Sequence, residues 1–174
     1  MKPPLTKLRS RPQRLVLAAL AVGFLSVAVV AGAALRPAAD AQSALRSGDY
    51  RSAHAALLEA AQAGEAGAQN RLGNLYYVGL GVETDYQRAL GWYWEAASQG
   101  HIEAQLNMGH LYAQGLGVPL DPLRAFGWYR VAERSGSEKA KGLMRLIAGS
   151  MAMTPNQIQK ANSIYVTVED LRPQ

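Results

Sequence analysis

The fold is decided by residues 64–99, GEAGAQNRLGNLYYVGLGVETDYQRALGWYWEAASQ, and by residues 100–135 directly after them, GHIEAQLNMGHLYAQGLGVPLDPLRAFGWYRVAERS. The two stretches align without a gap at an offset of 36, and 17 of the 36 positions are identical. A fixed period of about 20–50 residues is typical of supersecondary units stacked side by side. The sequence therefore predicts an array of repeats.

Diverged copies flank the two full repeats. Residues 49–64 carry a partial copy at the same offset, and residues 140–147 carry a decayed one. In the decayed copy Arg145 replaces the glycine of Gly73 and Gly109, and the glycine-rich loop disappears. Terminal units of a solenoid are expected to diverge because one of their faces meets water.

Each repeat predicts a helix, a loop and a second helix. In the first helix Ala68, Leu72, Leu75 and Tyr76 recur at the spacing of one apolar stripe on a 3.6-residue wheel. The loop over residues 79–84 begins with glycine, which favours a left-handed helix end, and it leads to an aspartate that favours the next N-cap. This pattern predicts an all-α fold.

The second helix of each unit is expected to supply most of the volume between units. Trp92 and Tyr93, with their partners Trp128 and Tyr129, are interpreted as core residues. A glycine inside a helix costs about 1 kcal/mol relative to alanine. Its presence beside the stripe of both first helices therefore predicts close approach of the partner helix.

The last twenty residues predict a closing helix. Residues 154–157 read Thr-Pro-Asn-Gln, which has the form of a capping box with proline in the first turn. Apolar residues follow at helical spacing up to Val168. We expect a helix over residues 155–170, within a C-terminal capping helix and tail that span residues 154–174.

The first 35 residues predict targeting to a membrane. A basic cytoplasmic leader over residues 1–14 carries five Lys or Arg and no acid, and 21 uncharged residues follow at positions 15–35. As a helix that stretch is about 31 Å long, which matches a bilayer core, and its basic end stays in the cytoplasm. We expect a hydrophobic helix that makes the chain a single-pass inner-membrane protein, with its repeat domain, residues 42–153, in a bacterial periplasm.

Signal cleavage is the alternative to an anchor. Small-residue sites lie at residues 31–33 and 39–41, and cleavage near Ala41 would leave a soluble periplasmic protein. Cleaved signal peptides carry an apolar stretch of only about 7–15 residues. The longer stretch here favours an uncleaved anchor.

Composition and motifs argue against several kinds of chemistry. The absence of Cys excludes a disulfide framework, a thiolate metal site and cysteine catalysis. From residue 15 onward 13 basic residues face 13 acidic ones, so the repeat domain lacks the basic stripe that nucleic acid requires. His101 and His110 are 9 positions apart rather than at the spacing of a helical metal pair. We expect no nucleic-acid partner, metal, small-molecule cofactor or enzymatic activity.

The unit A-Q-x-x-[LM]-G-x-L-Y-x-x-G-L-G-V-x-x-D-x-x-R-A-x-G-W-Y-x-x-A resembles the Sel-one-like repeat, a tetratricopeptide-related helical repeat. The match is carried in both copies by the residues Ala68, Gln69, Leu72, Gly73, Leu75, Tyr76, 79–82, Asp85, Ala89, Trp92, Tyr93 and Ala96 and by their partners 36 positions later. The resemblance implies a short right-handed α-solenoid. It also implies an interaction scaffold that holds a protein or peptide in a groove.

Six residues are candidates for partner binding because they point away from the stripe or differ between the copies. They are Asn70, Asn74, Tyr77, Leu106, His110 and Trp94. The alternative for the asparagines is a solvated surface. The alternative for Trp94 is packing beneath a neighbouring unit or the C-terminal helix.

Three hypotheses for function follow. The leading one is a non-enzymatic, membrane-tethered scaffold that binds an unidentified protein or peptide in the cell envelope. The second is an envelope-located accessory or enzyme-like protein that binds glycan, although no carboxylate pair of the kind that glycan hydrolysis needs stands out. The third is a mainly structural or dimerising element.

Overall fold

The computed structural model describes residues 39–164 and 168–173. Within these ranges every regular element is helical, and helices α1 to α8 follow one another in chain order. Residues 39–47 form α1, and the other elements are α2 Tyr50–Gln62, α3 Ala66–Val78, α4 Tyr86–Ser98, α5 Ile102–Gln114, α6 Pro122–Arg134, α7 Glu138–Ser150, α8 Pro155–Ile164 and a 3-10 helix Glu169–Leu171. The expected all-helical solenoid is confirmed.

The helices stack in sequence order. Each of α2 to α6 packs against the next helix, and α8 returns to lie on α6. The units α3–α4 and α5–α6 correspond to the two full repeats. The core between them combines many alanines with a few large side chains, of which Trp128, Tyr93, Tyr112, Leu72 and Met108 are almost fully buried.

The predicted helix ends are confirmed. Gly79 and Gly115 end α3 and α5 in the left-handed conformation, with φ of 82° and 67°. The side chains of Asp85 and Asp121 accept hydrogen bonds from the backbone N–H of Arg88 and Arg124, each at 2.9 Å. These caps fix where each loop ends and how the second helix starts.

A buried glutamine joins each unit to the unit before it. Gln69 Nε2 donates to the Ala61 carbonyl at 3.1 Å, and Gln105 Nε2 donates to the Ala97 carbonyl at 3.3 Å. Both acceptors lie at the end of the preceding second helix. Each carbonyl also accepts the N–H of the glycine three residues later at 3.0 Å, so the glutamine adds a second hydrogen bond that joins the two units.

The C-terminal helix is shorter than the expected range of residues 155–170. The capping box is present, because Gln157 Oε1 accepts from the Thr154 N–H at 2.8 Å and the Gln157 N–H donates to Thr154 Oγ1 at 3.3 Å. However, α8 covers Pro155–Ile164 only, and a separate 3-10 turn follows at Glu169–Leu171. The expected helix over residues 155–170 is therefore wrong at residues 168–170, and residues 165–167 lie outside the described ranges.

None of the helices in the described ranges has both the length and the apolar character needed to cross a bilayer. The predicted leader over residues 1–14 and the predicted membrane helix over residues 15–35 lie outside those ranges.

Candidate functional site

The first helices of successive units line a cavity of about 290 Å³. Helices α3, α5 and α7 supply most of its wall, and one tyrosine each from α4 and α6 completes it. We call it the tyrosine cavity; it is lined by Asn74, Tyr77, Tyr93, Glu103, Leu106, Asn107, His110, Tyr129, Lys139 and Leu143.

Two glycines let the tyrosines reach this cavity. A Cβ at Gly73 would lie 2.6 Å from Tyr93 Cε1, and a Cβ at Gly109 would collide with the Tyr129 ring in the same way. Both rings are almost fully buried. The glycines therefore provide the space through which each ring passes from a second helix to the far side of a first helix.

The Tyr93 hydroxyl is tied into an amide network. It donates to Asn74 Oδ1 at 2.7 Å. Asn107 Nδ2 donates to Asn70 Oδ1 at 3.0 Å and lies 3.4 Å from Asn74 Oδ1. The network links α3, α4 and α5, so it holds two neighbouring units in register.

A second contact between the units joins an aromatic pair. The Tyr77 hydroxyl lies 2.9 Å from His110 Nε2, and the two ring centroids are 5.8 Å apart in an edge-to-face arrangement. Tyr86 also packs edge-on against Tyr77, with the two ring centroids 5.5 Å apart. His110 is thereby held at the cavity although its side chain is exposed.

The Tyr129 hydroxyl differs from that of Tyr93. His110 takes the place of Asn74 in the second repeat and is engaged with Tyr77, and no described residue forms a hydrogen bond with the Tyr129 hydroxyl. Burial raises the pKa of Tyr129 to about 12 and also raises that of Tyr93. Tyr129 is therefore protonated at neutral pH, and its hydroxyl is a donor in the cavity wall.

Charged and apolar side chains surround these polar groups. Glu103 and Lys139, of opposite charge, lie exposed at the rim, while Leu106 is buried and Leu143 half-buried. The arrangement can accept and donate hydrogen bonds beside an apolar patch. Within the described residues no three His, Asp or Glu side chains are placed to hold a metal ion.

Four of the six predicted residues line the tyrosine cavity: Asn74, Tyr77, Leu106 and His110. Asn70 was expected to point away from the core, but it is buried because Asn107 of the next unit covers it. Leu106 is also buried, at 5% exposure. A helical wheel describes one helix only, so it cannot show that a residue of the next unit will cover Asn70.

Trp94 lies elsewhere. Its ring meets Trp128 edge-on at 5.9 Å, and the Arg172 guanidinium sits 5.8 Å from its centroid. It is thus half-buried between the second helices and the C-terminal tail. This corresponds to the packing alternative of the sequence analysis.

Sequence reasoning missed the remaining lining residues. Tyr93 and Tyr129 were assigned to the core, and their rings are indeed buried, but their hydroxyls lie in the cavity wall. The pairing of a helix glycine with a tyrosine 20 positions later, at 73 with 93 and at 109 with 129, was the available signal. Lys139 could have been found as the partner of Glu103 at the offset of 36.

Comparison with known proteins agrees with the repeat assignment. The family model described as Sel1 repeat matches residues 66–101 and 102–137. These bounds lie two residues after those obtained from the sequence period. Among curated proteins, none matches this chain.

Several solved structures are similar to it. The c5321 protective antigen of uropathogenic Escherichia coli, which displays an SLR fold, is 30% identical with a TM-score of 0.69, over 75% of this chain and 28% of that one. A Sel1 repeat protein from Oxalobacter formigenes is 30% identical with a TM-score of 0.55, over 66% and 49%. Helicobacter pylori cysteine rich protein B is 26% identical with a TM-score of 0.50, over 52% and 68%. The chain spans less than half the length of the first two.

Proposed function

We propose that this chain, whose two central units match the Sel1 repeat model, is a non-enzymatic scaffold whose tyrosine cavity binds an extended segment of a partner protein. The observation that carries the proposal is the Tyr129 hydroxyl, which lies in the cavity wall and forms no hydrogen bond with any described residue. A typical hydrogen bond contributes about 0.5–1.5 kcal/mol net. A ligand acceptor can meet this hydroxyl without displacing a protein acceptor.

The rest of the cavity suits a peptide. An extended backbone presents one N–H and one C=O per residue, and Asn107 and the exposed Asn74 offer amide groups to such a ligand. Leu106 and Leu143 form an apolar patch for a side chain, and Glu103 and Lys139 can meet a charge of either sign at the rim. The lining contains no cysteine or serine nucleophile, which supports a binding function rather than a catalytic one.

Photo-crosslinking tests this proposal in cells that produce the full chain. A benzoylphenylalanine at position 103 or 139 replaces an exposed rim residue and leaves the amide network intact. The control is position 87, where Gln87 is exposed on α4 and lines no cavity described here. We expect the same protein adduct from positions 103 and 139 and none from position 87. Equal adducts from all three positions, or none from the rim, would refute the proposal.

We further propose that residues 15–35 anchor the scaffold in the inner membrane, with the repeats in the periplasm. The basic leader and the 21 uncharged residues support an anchor. The burial of Ala41 within α1 supports an uncleaved chain, because cleavage near that residue would remove it from the core. The intact mass of the protein purified from membranes tests this: we expect the full chain, and a species that begins near residue 42 contradicts it.

A further inference from the structure

The second helices α4 and α6 present the same face to different surroundings. The face consists of residues 88, 91, 92 and 95 on α4 and of residues 124, 127, 128 and 131 on α6. Trp128 is fully buried and Trp92 half-buried, and the side chain of Arg124 is 22% exposed whereas that of Arg88 is 66% exposed. At the remaining two positions α6 is buried and α4 is exposed.

The C-terminal segment accounts for this difference. Helix α4 lies between α3 and α5, and α6 lies between their counterparts α5 and α7, but α6 also carries α8 and the 3-10 turn. That segment buries Ala161 and Leu171 almost completely. Arg172 then stacks on Trp94, the residue that packs against Trp128.

The face of α4 is left as an open hollow of about 590 Å³. We call it the Trp92 hollow; its lining residues are Ala61, Gln62, Gly64, Gln69, Arg88, Gly91, Trp92 and Glu95. It shares no residue with the tyrosine cavity. The Arg88 side chain is paired with Asp85 at 3.2 Å, whereas the Glu95 carboxylate forms no ion pair with any described residue.

We propose that the Trp92 hollow is a second binding site, which takes a short amphipathic helix and leucine-bearing turn from a partner protein. The chain's own α8 and 3-10 turn show the chemistry of such a segment, since they pack on α6 and bury an alanine and a leucine. Because Glu95 stands where α6 has Val131, the partner carries a cationic side chain toward α4 at that point. A second copy of this chain is a poor occupant, because its own Leu171 is already buried.

A fluorine NMR titration tests the proposal on the full chain labelled with 5-fluorotryptophan. The three tryptophans give three signals, and replacement of each by phenylalanine assigns them. The probe is a synthetic peptide of residues 154–173 of this protein. We expect a saturable shift of the Trp92 signal, with smaller changes at Trp94 and Trp128, and loss of the shift when the peptide carries Leu171→Asp.

Protein variants then locate the site. Gly91→Gln fills the hollow at a position where a Cβ meets nothing within 4 Å, and we expect it to weaken peptide binding about tenfold. Gly67→Gln is the matched control, because Gly67 is an exposed helix glycine with equally open surroundings that lines no cavity described here. Glu95→Val copies the face of α6 and is expected to tighten binding of this peptide. No saturable Trp92 shift, or a shift that Gly91→Gln leaves unchanged, overturns the proposal.

Discussion

The two full repeats share the contacts that shape each unit and differ in the side chains that line the cavities. Both tie a buried glutamine to the preceding helix, end the first helix at a glycine and start the second at an aspartate. On the cavity side, by contrast, Asn74 in the first repeat corresponds to His110 in the second. The Tyr93 hydroxyl is consequently held by a protein acceptor, whereas no described residue forms a hydrogen bond with the Tyr129 hydroxyl.

Two repeats with the same backbone contacts thus have different surroundings at two places. In the second repeat the C-terminal segment covers the α6 face at Trp128, and the tyrosine hydroxyl in the cavity has no protein partner among the described residues. In the first repeat the α4 face at Trp92 is uncovered, and the Tyr93 hydroxyl is bonded to Asn74. Four predictions test the differences and similarities between the two repeats, from the largest expected effect to the smallest.

The largest effect is expected from truncating the equivalent tryptophans. Trp128→Ala removes a fully buried side chain and should lower the free energy of unfolding by about 3–5 kcal/mol. Trp92→Ala removes a half-buried one that faces the open hollow, and we expect a loss of about 1–2 kcal/mol. Urea unfolding followed by circular dichroism measures both. Equal losses would contradict the unequal cover of the two faces.

The glycines beneath the tyrosines come next. Gly73→Ala pushes a methyl group into a Tyr93 ring whose hydroxyl is anchored to Asn74, and we expect a loss of about 2–3 kcal/mol. Gly109→Ala meets a Tyr129 ring without that anchor, so the ring can shift, at a cost of about 1 kcal/mol.

The control for the glycine pair is Gly91→Ala. A Cβ there meets nothing within 4 Å, so the higher helix propensity of alanine should stabilise the chain by about 0.5–1 kcal/mol. Thermal unfolding of the three variants ranks them. A Gly109→Ala loss as large as that of Gly73→Ala would argue against a freer Tyr129.

The N-caps should behave alike. Asp85→Ala and Asp121→Ala each remove a cap that accepts a backbone N–H at 2.9 Å, and each should cost about 1 kcal/mol. Both aspartates also form an ion pair with an arginine three residues later. The Arg88 pair is exposed and adds little, and the half-buried Arg124 pair is longer, at 3.7 Å. Chemical denaturation compares the two variants, and a clear inequality between them would break the idea of a shared frame.

The smallest effect is expected for the pH dependence of stability, through His54 in the partial repeat over residues 49–64. His54, which corresponds to Leu90 and Phe126, lies 2.9 Å from the Tyr76 hydroxyl through Nε2. Burial first, and the Arg88 charge second, hold the pKa of His54 below its usual value of 6.5. The unfolded chain therefore binds more protons between the lowered pKa and 6.5, so stability is full above that window and falls as the pH drops through it.

His54→Gln removes this titration and retains a side chain that can donate to Tyr76. The free energy of unfolding should fall more for the natural chain than for the variant between about pH 7.5 and pH 5.5. Identical pH profiles would show that His54 has the same pKa in the folded and unfolded chain.

The frame of the repeats was predictable because it rests on short-range patterns. The spacing of Ala68, Leu72 and Leu75, the glycine helix ends and the aspartate caps are properties of one helix and its loop. The 36-residue period then places identical units side by side. These features need no knowledge of which units meet at a given surface.

The candidate site was predictable only in part, because it depends on contacts between units. Asn74, Tyr77, Leu106 and His110 were found from their position on the wheel. Asn70 is buried by Asn107 of the next unit, and Trp94 lies beneath the tail, so neither follows from a single helix. The Trp92 hollow depends on where the C-terminal segment packs, which no local pattern specifies.

The glycine-rich loops have a consequence for the length of such proteins. A Cβ at Gly117 would lie 2.8 Å from the Tyr86 carbonyl carbon, and a Cβ at Gly81 would meet the backbone of Tyr50 as closely. Each loop thus joins the preceding unit through backbone atoms, and such a junction does not depend on the side chains around it. We therefore expect a further unit of 36 residues to join the array through the same backbone contact. Each added unit would lengthen the row of first helices by about 10 Å, so copy number sets the reach of the molecule.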